Sequence, residues 1–145
     1  MTRTEEALEI FEKGFSCSQA VFSTFAPELG VDYETAMKVS CGFGGGMAQT
    51  AATCGVVTGA IMVIGLKYGR VGEVDFKAKA LTYQKVHEFM DKFTQRNKSL
   101  LCRELLGDDM STAEGKDRIH ERGIIREVCP GFVRDGVEIL EEILE

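Results

Sequence analysis

Five cysteines are the residues of this chain whose type could do redox or metal chemistry: Cys17, Cys41, Cys54, Cys102 and Cys129. None stands in a Cys-x-x-Cys pair, so the spacing of a thioredoxin-type site, a zinc ribbon or a ferredoxin-type cluster is missing. No Cys-x-x-Cys-His occurs either, which removes covalently attached c-type haem. Local context says more than spacing. Cys17 follows Ser16, Cys54 follows Thr53, Cys102 stands three residues after Ser99, and Cys129 immediately precedes Pro130. Ser and Thr cap helix N-termini, and Pro suits the first helical position. These four thiols are therefore expected at helix starts, where free N–H groups and the positive end of the helix dipole stabilise a thiolate. A thiolate attacks disulfides, reduces oxidants and binds metals. Cys41 is expected at a helix C-terminal end, where the dipole disfavours the anion, and reads as core filler. Burial as a small hydrophobe is the plain alternative for every one of them.

A glycine run accompanies the thiols: Gly42, Gly44, Gly45 and Gly46, then Gly55 and Gly59. It is no dinucleotide fingerprint, because no strand pattern precedes it, and no Walker loop, because no Gly-Lys-Ser/Thr follows. Gly44, Gly45, Gly46, Gly55 and Gly59 could aim backbone N–H groups at an anion, a sulfur or a cofactor. A tight turn that lets two helices approach is the alternative. Gly55-x-x-x-Gly59 on an apolar helix reads as close helix packing, which brings another backbone or a cofactor against the face carrying Cys54. His87 reads as a core or boundary histidine and His120 as solvated. Two histidines make no His-rich metal site. The stretch GDDMSTAEGKD reads as a helix start, and Glu138, Glu141, Glu142 and Glu145 as a solvated face.

Apolar spacing and capping patterns supply a helical frame for these groups. Thr2 with Glu5 is a capping box that opens a helix to about Lys13, with Ala7, Ile10 and Phe11 as its apolar stripe. Ser16 with Gln19 is a second box, opening a helix from Cys17 to Phe25 with Ala20, Val21 and Phe25 inward. Asp32 caps a third helix through Ala36, Met37 and Val39. A fourth is predicted from Thr53 to Tyr68, apolar on nearly every side and so the central buried one. Asp75 caps the longest, to about Asn97, with Phe76, Ala80, Tyr83, His87 and Met90 on one stripe and Phe89 and Phe93 beside it. Ser99 to Leu106 is a short helix. Ser111 with Glu114 opens a polar helix to Arg122, and Pro130 opens the last one, Phe132 to Leu144, with Val133, Val137, Leu140 and Leu144 inward. No segment alternates with period two. The prediction is an all-α, single-domain helical bundle over residues 1–145, with a central apolar helix and a Gly-rich loop at its N-terminus.

The 145 residues suffice for one domain. A chain of this length buries roughly 68% of its unfolded surface, so it needs no disulfide or metal merely to hold a core. With 17 Lys and Arg against 23 Asp and Glu, the net charge is −6, which makes a poor binder of nucleic acid or anionic membrane. The longest apolar stretch, Val56 to Leu66, is interrupted by Thr58, Gly59 and Gly65 and falls short of the ~20 residues that span a bilayer, so no membrane insertion is expected. MTRTEEALEIF is acidic and amphipathic, unlike a secretory leader. A cytoplasmic location is expected, and there thiols stay reduced, which favours catalytic, redox or metal-binding cysteines over a static disulfide frame.

The order Cys17, a Gly-rich loop leading into Cys54-Gly55-Val56-Val57-Thr58-Gly59, Cys102 and Cys129-Pro130 resembles a family of small bacterial and archaeal proteins described as redox-active, the C_GCAxxG_C_C family. The resemblance covers nearly the whole chain. It implies a redox role for Cys17, Cys54, Cys102 and Cys129 and no settled substrate. A related domain occurs in the split-Soret type of cytochrome, which extends the implication to electron transfer, although this chain lacks the haem-attachment motif. Val56 stands where the family motif has Ala, and Cys41 is additional to the four.

Three readings stay open. In the first, the four cysteines carry dithiol–disulfide exchange with a redox partner protein or a small oxidant, as in a thiol-dependent oxidoreductase that needs no cofactor. Cys54 is the expected nucleophile, and any of the other three could resolve it. In the second, Cys17, Cys54, Cys102 and Cys129 hold an iron–sulfur cluster or another metal, in an electron carrier or sensor. In the third, a non-redox helical module binds a partner. A homodimer is compatible with all three. Both chemical readings predict that at least three of the four cysteines gather at one end of the bundle, with Cys54 central and the Gly42–Gly46 loop as a roof.

Overall fold

Capping chemistry sets the first helices where the side chains allow it. In the computed structural model, which describes residues 1–145, Thr2 and Glu5 close the first capping box and open α1 (Arg3–Glu12). Ser16 and Gln19 close the second and open α2 (Cys17–Phe25). A 3-10 turn over Ala26–Leu29 ends at Gly30. The Asp32 carboxylate accepts from the Thr35 N–H at 3.1 Å and opens α3 (Tyr33–Ser40). A second 3-10 turn, Cys41–Phe43, leads into the glycine loop. Beyond it come α4 (Gly55–Tyr68), α5 (Phe76–Asn97), capped by Asp75, α6 (Cys102–Leu106), α7 (Ala113–Arg122) and α8 (Ile124–Ile143). No strand is present, so the fold is all-α in one domain. No helix is long and apolar enough to cross a membrane.

The core forms around α4 and α2 together. Along α4, Gly55 to Ala60 are buried without a break, with Val63 and Ile64 beyond them, as expected of a central helix. α2 is buried from Ser18 to Phe25, although half of those residues are polar. It tolerates this because each polar group is satisfied internally. Ser18 Oγ donates to the Ser40 carbonyl at 2.9 Å, Gln19 Nε2 to the Met37 carbonyl at 3.1 Å and Thr24 Oγ1 to the Ala20 carbonyl at 2.8 Å. The two helices lie side by side with their N-termini together. A Cβ on Gly59 would stand 3.1 Å from the Ser18 carbonyl oxygen, so this close approach depends on a bare backbone there. Val133, Val137, Ile139 and Leu140 of α8 and Phe89 and Phe93 of α5 complete the core.

Several boundaries differ from the sequence expectation, each for a physical reason. Thr53 is held in an isolated antiparallel bridge with Leu101, so α4 begins one step later with Cys54 as its N-cap. The same bridge keeps Ser99 to Leu101 out of α6, which starts at Cys102. Ser111 is drawn to Asp109, its N–H donating to Oδ1 at 2.8 Å, and Thr112 caps α7 in its place. α8 starts at Ile124 and runs through Pro130, because Ile124, Ile125 and Val128 pack on a second, smaller apolar cluster and extend the buried face upstream. The stripe expected on α5 fails at its N-terminal half, where Phe76 and Tyr83 are 65% and 58% exposed. That half reaches past the core, which α5 meets through Val86, Phe89, Met90 and Phe93. His87 is exposed with it.

Candidate functional site

The four cysteines of interest reach one place from four helices. Cys17 is the first residue of α2, Cys54 is the N-cap of α4, and Cys102 is the first residue of α6. Cys129 lies inside α8, not at a helix start. Backbone pairing ties two of the four segments together. Beside the Thr53–Leu101 bridge, the Cys54 N–H donates to the Leu100 carbonyl at 2.8 Å and the Cys102 N–H to the Ala52 carbonyl at 2.6 Å. Gly55 admits α2, since a Cβ there would stand 3.3 Å from the Cys17 Cβ.

All five cysteines, with Gly44, Gly45, Gly46 and Gly55, line one open pocket of about 830 Å³. The gathering expected of a chemical site is therefore present. Cys54 belongs to the main apolar core and Cys102 and Cys129 to the smaller cluster, while Cys17 packs against both. The hub of the four is thus Cys17 and not Cys54. Gly59 does not line the pocket; it lies one turn deeper, where its role is the approach of α2. Cys41 is exposed at the mouth, so it is not core filler.

The glycine loop roofs the site in an unusual conformation. Gly45, Gly46, Met47, Ala48 and Gln49 all have positive φ, between 49° and 71°, and Ala51 follows at 60°. Non-glycine residues rarely take this conformation, and strain of this kind gathers at functional sites. The segment is held by its own backbone bonds, among them Ala48 N–H to the Gly42 carbonyl at 2.9 Å and Ala52 N–H to the Gly46 carbonyl at 2.9 Å. Gly46 is fixed on both counts, by φ of 71° and by crowding. A Cβ there would stand 2.5 Å from the Ala52 nitrogen and 2.8 Å from the Cys102 Cβ.

Burial, more than the helix dipole, sets the electrostatics of the site. It pushes the Cys54 thiol up to about 12, against the partial pull of the Val56 and Val57 N–H groups. It likewise pushes Cys102 up to about 11, with help from nearby Cys129 and Asp109. The thiolate character expected at these two helix starts is therefore overturned by desolvation. Cys17 and Cys129 behave as a pair. Hydrogen bonding from the Cys17 thiol holds Cys129 below the ordinary thiol range, despite its burial. The same interaction, followed by burial and by the other three cysteines, holds Cys17 well above that range. One proton of the pair leaves early and the other late. As placed, no three of the His, Cys, Asp and Glu side chains are gathered tightly enough to hold a metal ion.

Among the other side chains that line the pocket, Glu12, Gln49, His120 and Arg126 are not marked by the sequence as belonging to it. Arg126 was hidden because the first turns of α8 are assigned to a loop when Pro130 is read as a helix start. His120 is solvated as expected, and it lines the pocket as well. Comparison with known proteins gives one match. A family model described as "Putative redox-active protein (C_GCAxxG_C_C)" matches residues 15–143. No curated protein and no solved structure matches the chain.

Proposed function

Since the chain belongs to the redox-active C_GCAxxG_C_C family, which spans residues 15–143 of it, we propose that it is a thiol-based redox protein whose working pair is Cys17 and Cys129. The observation that carries this reading is their placement: Cys17 packs against the small apolar cluster that holds Cys129, and both line the same pocket, where their interaction lowers the Cys129 thiol and raises that of Cys17. A good attacking thiol is one that is ionised near working pH and still nucleophilic. The Cys129 thiol is shifted in that direction. Cys54, the nucleophile expected from its place at a helix start, is not, because it keeps its proton to about 12.

The reaction takes two steps. The Cys129 thiolate attacks one sulfur of a disulfide substrate, forming a mixed disulfide and expelling the other half as a thiolate. Cys17 then gives up its proton to solvent and attacks the Cys129 sulfur. This forms the Cys17–Cys129 disulfide and expels the second half of the substrate. Two electrons pass from the protein to the substrate, and an external dithiol returns them. Cytoplasmic residence belongs to this reading, because the cycle needs a compartment that re-reduces the pair.

Anaerobic purification with metal analysis, followed by peptide mapping after mild oxidation, tests it. The expected protein is colourless and metal-free and yields one disulfide, Cys17–Cys129. Iron with labile sulfide, or an oxidised protein in which these two cysteines remain thiols, would overturn it.

A further inference from the structure

The pocket is too large and too deep for its thiols to serve every oxidant equally. Cys54, Cys102 and Cys129 are only 5 to 8% exposed, so they form a floor that a disulfide on a folded protein does not reach. A volume of about 830 Å³ far exceeds a peroxide and falls in the range of pockets for small organic ligands.

The charged groups around this pocket are unlike those of the rest of the surface. The chain carries 23 carboxylate side chains, yet Glu12 is the one that lines the pocket, beside Arg126 and His120. Arg3, Arg96 and Arg118 are committed to ion pairs elsewhere on the surface. Arg126 is exposed and takes part in none of the ion pairs. It precedes Cys129 by three residues on α8, so the two share a helix face. A free guanidinium is thus set one turn from the sulfur that attacks.

Resting on the dithiol reading above, we infer that the substrate is a small organic disulfide whose arms carry carboxylates, with Arg126 holding one carboxylate at the mouth while the S–S bond reaches Cys129. The electron count is that of the cycle above: the disulfide is reduced to two carboxylate-bearing thiols, and Cys17 and Cys129 are oxidised to a disulfide. Glu12 opposes an anion in the same pocket, so the preference is the balance of the two charges.

Two probes with equivalent S–S bonds test this on the reduced, intact protein: 3,3′-dithiodipropionate, with two carboxylates, and bis(2-hydroxyethyl) disulfide, which is neutral. Each rate is divided by the rate of the same probe with a free small thiol. The carboxylate probe is expected to be favoured, and Arg126→Gln should lower the ratio of the two by about threefold, the size of one exposed charge pair. Arg126→Lys should keep most of the ratio, and Glu12→Gln should raise it. A ratio unmoved by Arg126→Gln, or a wild-type preference for the dication cystamine, would overturn the inference and leave the dithiol cycle standing. If the wild-type protein reduces neither probe, the dithiol cycle itself falls, and the inference with it.

Discussion

A thiol beside a thiol titrates differently from a thiol alone, and at the scale of single residues this sets the order of reactivity. In a Cys41→Ser background, limited alkylation at about pH 8 should label Cys129 before Cys17, Cys54 or Cys102. Cys17→Ala removes the donor, so the Cys129 pKa should rise and its labelling slow several-fold; an unchanged rate would place the thiolate elsewhere. The two deeply held protons give a second expectation. Thiols in the unfolded chain titrate near pH 8.5, whereas native Cys102 keeps its proton to about 11 and Cys54 to about 12. Above the unfolded value the native state binds more protons than the unfolded one, so stability falls as pH rises. The urea midpoint should decline from about pH 8.5 to 10.5, and Cys102→Ser should make that decline shallower. The sequence singles out Cys17, Cys54, Cys102 and Cys129, and the structure brings these four, with Cys41, to one pocket. The sequence misreads their chemistry, because capping residues mark helix starts, whereas burial, which overrides the dipole at Cys54 and Cys102, depends on what other segments cover.

Among the elements, the glycine loop makes the sharpest demand. Gly46→Ala should cost roughly 2 kcal/mol or more, since it adds strain at positive φ to a clash with backbone. Gly42→Ala, four residues earlier, meets open space. It should change stability by less than about 0.5 kcal/mol. Urea denaturation of the two variants separates a roof held in one conformation from a merely flexible turn, for which both changes would be mild. Helix starts written in local side chains, such as Thr2 with Glu5, Ser16 with Gln19, Asp32 and Asp75, are legible from the sequence. Starts imposed from a distance are not. Nothing near Thr53 announces its bridge to Leu101, 48 positions on. The run Ile125, Cys129, Phe132, Val133, Val137 and Leu140 does carry the helical period through Pro130, and reading proline as a start breaks it.

At the scale of the whole molecule, the core and the pocket are mechanically joined, because α2 and α4 carry both. Val63 is fully buried on α4. Val63→Asp should unfold the protein by burying an unpaired charge, lost helicity in circular dichroism being the readout. Oxidation should act in the opposite sense. A Cys17–Cys129 disulfide ties α2 to α8 across more than a hundred residues, which by loop entropy stabilises on the order of 4 kcal/mol. The melting temperature should rise by roughly 10 °C on oxidation, and Cys129→Ser should abolish the rise. The all-α, single-domain architecture was legible because the 3.6-residue period runs through most segments. The burial of α2 was not, since Ser18, Gln19, Ser23 and Thr24 look solvent-facing until their internal hydrogen bonds are known.

Handedness draws one more consequence from the roof. Every helix here is right-handed, as L-residues require, but from Gly45 to Gln49 the backbone turns the other way. Each L-residue in that turn gives up about 1–2 kcal/mol that its mirror image would keep. Ala48 is exposed with φ of 49°. A D-alanine placed there by chemical synthesis would sit in its own favoured basin. Over those five residues the chain follows the geometry of the opposite enantiomer.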